Sequence, residues 1–170
     1  MKATFSVNFS EIRMGDVARV GGKNASLGEM FRALKPKGVG VLDGFAITTD
    51  SYWRLLAEQG LRGRLEAIFS NLDPENLEQL ALKGHEARAR ILETPLPEDL
   101  QSAVRESYRA LVARLGREAE LAVRSSASAE DLPEASFAGA AETFLNVRGE
   151  EELLRAVHQC FASLFTDRAI

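Results

Sequence analysis

The chain has 170 residues, 45% of them hydrophobic and 27% charged, which is typical of a globular domain and excludes a disordered tail, a collagen-like repeat or a coiled coil. Its 21 basic and 25 acidic residues give a net charge of −4, which offers no electrostatic basis for binding nucleic acid or an anionic membrane. A single cysteine allows no internal disulfide and no apolar run could span a bilayer, so we expect a soluble, cytoplasmic protein.

The first predicted element is a glycine-rich turn at residues 21–26 that leads into an amphipathic helix. Leu27, Met30, Phe31 and Leu34 recur there at helical spacing, before Pro36 ends the pattern. A short strand is predicted from Phe45 to Thr48. Two helices should follow it, the first capped by Thr49 or Asp50 and the second ending near Ser70.

Two longer helices are predicted in the middle of the chain. Asp73 followed by Pro74 has the order of an N-cap and a first helical residue, and this helix should run to about Leu92 with Leu77 on its buried side. Pro97 should begin the next helix, which Gly116 ends. The region from roughly 49 to 116 is therefore expected to be helical.

In the last third of the chain the predicted elements change from helices to short strands and a segment of small residues. We predict a short buried strand at 119–124, a loop rich in small residues at 125–138, a strand at 143–147 and a long amphipathic helix at 150–165. The fold class is then α+β, a helical middle packed on a small mixed sheet. The residues from Thr166 to Ile170 look like the start of another helix, so we expect the chain to be part of a longer protein.

Three short segments could bind phosphate. In the turn at 21–26, glycines let backbone N–H groups converge, the following helix N-terminus favours an anion, and Lys23 can reach a phosphate. Its spacing is not that of a Walker A loop, and an ordinary turn with a solvated lysine has the same composition.

The second and third candidates follow the predicted strand at 119–124. Arg124 stands at the exit of that strand, where a guanidinium can bind phosphate or pair with an acid. The small-residue segment at 136–143 could close over a polyphosphate with Thr143 adding a hydroxyl, or simply connect two strands. His85, His158 and Cys160 have no partners at metal-ligand spacing, so we interpret them as structural and predict no metal site.

Together and in this order, these segments resemble the beginning of the phosphoenolpyruvate synthase family, the pyruvate, water dikinases. The matching blocks are residues 20–30, 44–49, 122–127, 129–133, 135–139, 142–147, 161–165 and 167–170. The resemblance implies the first part of an ATP-grasp-type nucleotide-binding domain over residues 1–170. It places Lys23 and Arg124 on the ATP phosphates as the catalytic pair, and it adds further nucleotide-binding residues: Gly22, Ser125, Gly139, Glu142 and Thr143.

The resemblance also implies an activity for the full-length protein. That protein would convert ATP, pyruvate and water into AMP, phosphoenolpyruvate and phosphate through a phosphohistidine, with Mg²⁺ ligands, the histidine domain and the pyruvate-binding domain all beyond residue 170. The full-length protein could form a homo-oligomer. We therefore expect the 170-residue chain alone to be inactive.

Two alternatives stay open. The chain could be the ATP-binding part of another dikinase or phosphotransferase with a different acceptor. It could also be a non-catalytic nucleotide-binding module, which is favoured by Ala140 and Ala141 at positions where the family commonly carries glutamine. The presence of both Lys23 and Arg124 argues against such a module.

Overall fold

The computed structural model describes residues 4–126 and 142–165. Its helices and strands, in chain order, are β1 (Ser6–Asn8), α1 (Val17–Val20), α2 (Gly22–Leu34), β2 (Phe45–Ile47), α3 (Thr49–Leu56), α4 (Leu61–Phe69), α5 (Leu77–Glu93), α6 (Glu98–Leu115), β3 (Leu121–Arg124), β4 (Thr143–Val147) and α7 (Gly149–Ala162). None of the helices within these residues has the length and apolarity needed to cross a membrane. The described chain divides into two compact units.

The first unit contains residues 4–52 and 98–119, with Ser126. Strands β1 and β2 pair antiparallel, with Val7 opposite Ala46. A small core of buried side chains joins these strands to α1 and α2, and its members are Ile12, Val20, Ala25 and Ala46. Helix α2 approaches Ile12 closely at Gly28. A Cβ added to Gly28 would lie 2.6 Å from the Ile12 Cβ. The middle of α2 is thus held against Ile12 by packing.

Helix α6 supports the β1–β2 pair in the same unit. Its buried side consists of Leu100, Val104, Tyr108 and Leu111, and the hydroxyls of Ser6 in β1 and Ser107 in α6 lie 2.7 Å apart. Near the end of α6, Arg114 binds the Asp43 carboxylate at 3.1 Å. The loop that precedes β2 is therefore tied to α6 by charge.

The second unit contains residues 53–97, 120–125 and 142–165. Helix α7 is its most buried element, with its inward residues listed as Leu153, Leu154, Ala156, Val157, Cys160, Phe161 and Ala162. It packs on α5 and on the β3–β4 pair. The His158 ring reaches the Ile91 carbonyl oxygen near the end of α5 at 2.9 Å, which places this imidazole in packing as the sequence predicts.

The β3–β4 ladder is antiparallel and irregular. Leu121 lies opposite Val147 and Val123 opposite Phe144, so β4 carries one more residue than β3 between these pairs. Asn146 lies in this extra stretch with φ of +58°, a left-handed conformation that asparagine tolerates better than most residues. The bulge ends before the pair formed by Arg124 and Thr143.

The α+β class is confirmed, and the expected single mixed sheet is wrong. The described residues form two separate two-stranded antiparallel sheets. The sequence missed β1, whose three residues are too few for a periodic pattern. The strand predicted as buried at 119–124 is half-exposed along its length, because a two-stranded ladder covered by one helix cannot bury both faces.

The start of α5 also differs from its prediction. Asp73 is not the N-cap: its carboxylate accepts the Glu75 N–H in a local turn. The cap is Asn76, whose side-chain oxygen accepts the Gln79 N–H at 3.0 Å. Leu77 is then the first residue of α5 and is 78% exposed, so its predicted burial is wrong. The predicted strand at 143–147 is confirmed at both ends.

Candidate phosphate-binding site

The glycine turn is sharper than its sequence suggests. Helix α1 ends at Val20 and α2 begins at Gly22, so Gly21 alone separates two helices. It has φ of +79° and ψ of 159°, a region that is essentially restricted to glycine. Gly22 and the half-buried Lys23 are the first two residues of α2.

Gly21 is required for a second reason. A Cβ at this position would lie 2.8 Å from the carbonyl carbon of Ser126 and closer still to the two Ser126 oxygens. Real Cβ atoms do not approach other atoms this closely. The backbone that leaves β3 therefore touches the turn before α2, and both residues belong to the first unit.

Four other predicted site residues gather at one end of the β3–β4 ladder in the second unit. Arg124 and Thr143 are directly opposite each other on neighbouring strands, which places their side chains on the same face, roughly 5 Å apart at Cβ. Ser125 and Glu142 are the adjoining residues of the two strands. Arg124, Glu142 and Thr143 are all exposed. This ladder end therefore exposes one guanidinium, one carboxylate and the Thr143 hydroxyl.

The remaining predicted residues lie outside the described part of the chain. These are Gly139, with the small-residue segment around it and Ala140 and Ala141, and the predicted helix start at 166–170. Their assignments stay predictions.

Titratable groups in the second unit do not suit covalent chemistry. Burial, with a smaller contribution from the charge of Glu142, raises the pKa of the Cys160 thiol to about 12, so this thiol stays protonated and unreactive near neutral pH. Burial lowers the pKa of His158, with backbone hydrogen bonds at Ile91 and Thr94 acting in the opposite direction. Both residues serve packing, as predicted from the sequence.

The described residues do not fit a metal centre. No three His, Cys, Asp or Glu side chains come together within residues 4–126 and 142–165. In the first unit, the start of α2 offers Lys23 and backbone N–H groups. In the second unit, the ladder end offers the Arg124 guanidinium and the Thr143 hydroxyl beside the Glu142 carboxylate. Cations, hydroxyls and N–H groups at a helix start are the donor types that phosphate recognition uses.

Comparison with known proteins agrees with this chemistry. The family model described as "Pyruvate phosphate dikinase, AMP/ATP-binding domain" matches residues 17–170, a span that includes the glycine turn and both strands of the ladder. The chain belongs to this family. Because the family is an AMP/ATP-binding domain, the ligand expected for this chain is a nucleotide.

Full-length relatives of this dikinase domain share about half of its residues. A phosphoenolpyruvate synthase of Synechocystis is 50% identical over 95% of this chain. One of Neisseria meningitidis is 49% identical over the whole of this chain. One of Escherichia coli is 48% identical over 95%. The chain spans about a fifth of the length of these relatives, namely 20%, 22% and 20%.

Sequence reasoning missed one residue of this dikinase domain's candidate site. It singled out Ser125 and passed over Ser126, although Ser126 makes the contact with Gly21. A run of two serines gives no signal that separates them. Only the fold shows which one meets a turn more than 100 residues earlier.

Proposed function

We propose that this chain is the ATP-binding segment of a phosphoenolpyruvate synthase. In this proposal the full-length protein converts ATP, pyruvate and water into AMP, phosphoenolpyruvate and phosphate through a phosphohistidine. The observation that carries it is the identity of about 50% with phosphoenolpyruvate synthases over nearly the whole chain, within which lie the glycine turn and the Arg124–Thr143 pair. An ATP-grasp architecture, a cytoplasmic location and a Mg²⁺ requirement belong to the same proposal.

Lys23 and Arg124 have the central roles in it. Lys23 lies in the first turn of a 13-residue helix, where N–H groups and the helix dipole already favour an anion. Arg124 offers several N–H donors in a planar fork that matches a phosphate. We assign both side chains to the phosphates of ATP, where they neutralise charge as the phosphoryl group leaves.

Gly22, Ser125 and Thr143 supply uncharged contacts in this proposal. Gly22 contributes backbone at the start of α2, and Ser125 and Thr143 contribute hydroxyls at the ladder end. Glu142, which adjoins Thr143, and Gly139, which lies outside the described residues, are assigned to the nucleotide from the family resemblance alone. Phosphoryl transfer depends mainly on positioning and charge neutralisation, and it needs no protein nucleophile in this segment. The inert thiol of Cys160 agrees with that requirement.

The test is calorimetric titration of ATP, with Mg²⁺ present, into the full-length protein that contains this chain. We expect Lys23→Ala and Arg124→Ala each to weaken binding by at least tenfold, which corresponds to about 1.4 kcal/mol. Each removes a cation that contacts phosphate, and neither replaces a residue of the core.

Matched controls are available in both units. Lys37→Ala removes an exposed lysine after α2, and Arg155→Ala removes an arginine of α7 whose side chain is 73% exposed. Both should bind ATP within twofold of the wild type. If Lys23→Ala and Arg124→Ala also bind like the wild type, the phosphate assignment is wrong.

A further inference from the structure

Ser126 touches the beginning of α2 from a distant part of the sequence. Its hydroxyl accepts a hydrogen bond from the backbone N–H of Asn24 at 3.4 Å, and the two residues are 102 positions apart. Its backbone lies against Gly21 so closely that no Cβ could fit between them. Ser126 is thus packed into the turn that carries the predicted phosphate-binding residues.

This contact replaces a missing cap. The first N–H groups of a helix have no partner within it, and an N-cap side chain usually accepts a hydrogen bond from the second or third helical residue. The N-cap of α2 is Gly21, which has no side chain to accept one. Asn24 is the third residue of α2, so the Ser126 hydroxyl serves the N–H that an ordinary cap would serve.

Asn24 is held from two directions. Its side-chain Nδ2 donates to the Val20 carbonyl oxygen at 2.8 Å, and its backbone N–H donates to Ser126. The first contact joins α2 to α1, and the second joins α2 to the segment that leaves β3. Lys23 is the residue immediately before Asn24, so both contacts restrict the backbone from which the Lys23 side chain extends.

We propose that Ser126 is a positioning residue for ATP binding. It holds the first turn of α2 so that Lys23 and the neighbouring N–H groups meet the phosphates in a fixed geometry. The inference rests on the proposed function and deepens it, because it makes the phosphate-binding turn depend on a hydroxyl that itself does not contact the nucleotide.

The experiment compares three variants of the full-length protein that contains this chain. Ser126→Ala removes the hydroxyl, Ser126→Thr retains it, and Ser102→Ala removes an exposed hydroxyl from α6 as a control. We expect Ser126→Ala to weaken ATP binding by about three- to tenfold, the range that loss of one helix cap corresponds to. Ser126→Thr and Ser102→Ala should stay within twofold of the wild type.

Hydrogen exchange supplies a readout that does not depend on ATP. In Ser126→Ala the Asn24 amide should exchange several-fold faster than in the wild type, while amides in the middle of α2 keep their rates. In the wild-type protein, saturating ATP should slow exchange in the first turn of α2. If ATP binds and leaves this exchange unchanged, the positioning role is wrong, whether or not the alanine variant folds.

The outcomes separate the two proposals. If the wild-type protein does not bind ATP, the proposed function is wrong and the positioning role fails with it. If the wild type binds ATP and Ser126→Ala binds it equally well, only the role of Ser126 is wrong, even where the variant has a lower Tm. Failure of threonine to restore affinity would likewise overturn the role of the hydroxyl.

Discussion

The two regions that carry the predicted phosphate-binding residues are built in opposite ways. The region around α2 is packed too closely to admit a Cβ at two glycines, with Gly21 before the helix against Ser126 and Gly28 in its middle against Ile12. The β3–β4 ladder consists of two short, half-exposed strands, and at its end Arg124, Glu142 and Thr143 are all exposed. One region fixes the direction of N–H groups, and the other displays side chains.

The comparison shows where each region is sensitive to substitution. Packed backbone cannot accept a single added carbon, so the α2 turn depends on which residues lack a side chain. At the exposed ladder end, binding depends on which side chains are present. Substitutions there that change only the preference for strand backbone should have small effects. Substitutions that alter glycine should therefore damage the first region, and charge removal should damage the second.

The largest effect is expected for Gly21→Ala. The variant places a Cβ in a glycine-only backbone region and against the Ser126 carbonyl. We expect the free energy of unfolding to fall by about 3 kcal/mol or more, measured by urea denaturation.

The control for that variant is Gly38→Ala. Gly38 also has φ of +79°, but a Cβ there would meet nothing within 4 Å. Its loss should be only about 1 kcal/mol, the cost of a left-handed alanine. Equal losses in the two variants would show that contact with Ser126 adds nothing to the requirement for glycine at position 21.

An intermediate effect is expected for Asp43, where an ion pair with Arg114 ties the loop before β2 to α6. Burial by itself raises the pKa of the Asp43 carboxyl, but hydrogen bonds from Arg114 and the Gly44 N–H, with the charges of Arg114 and Lys35, outweigh it and hold the pKa below its ordinary 3.8. Because the unfolded chain binds this proton more readily, the stabilisation is present above pH 3.8 and is lost as pH falls through the lower folded value.

Asp43→Asn tests this contribution. It should lower the free energy of unfolding by about 1 kcal/mol near neutral pH, and the difference from the wild type should shrink as urea unfolding is repeated toward pH 3. Glu118→Gln, which replaces an exposed acid of the same unit, is the matched control and should change the free energy of unfolding near neutral pH by less than about 0.5 kcal/mol. A difference that stays constant with pH would contradict the ion-pair account.

The smallest effect is expected at the bulge of β4. Asn146 already has a positive φ, so Asn146→Gly should change the free energy of unfolding by less than about 0.5 kcal/mol, since relief of strain offsets the added entropy of the unfolded chain. Leu145→Gly, one residue earlier in the same strand and 66% exposed, should cost about 1 kcal/mol. Urea denaturation that ranks the two variants the other way would contradict the bulge.

The helices were predictable where their signals are local. Pro97 and Gly116 bracket α6, and the β-branched and aromatic residues of β4 were enough to place it at both ends. Asp73 misled the prediction of α5, since an aspartate before proline has the order of a cap whether it caps a helix or closes a turn. Strand β1 has no local signal, because it is held by pairing with β2 about 40 residues later and by packing on α6 about 100 residues later.

For the candidate site, the residue types could be predicted from the sequence, but the contacts between them could not. Lys23 and Arg124 can be chosen from charge, neighbouring glycines and strand exit. The pairing of Arg124 with Thr143 depends on a bulge that shifts the ladder by one residue. The contact of Ser126 with Gly21 depends on a tertiary approach, and no pattern in the sequence encodes it.

The most direct test of the central claim is product analysis by phosphorus NMR. The full-length protein would be incubated with ATP, Mg²⁺ and pyruvate, beside the 170-residue chain alone under the same conditions. The account predicts pyruvate-dependent formation of AMP, phosphoenolpyruvate and phosphate by the full-length protein and no turnover by the chain alone. ATP left intact by the full-length protein, or pyruvate-dependent turnover by the chain alone, would contradict it.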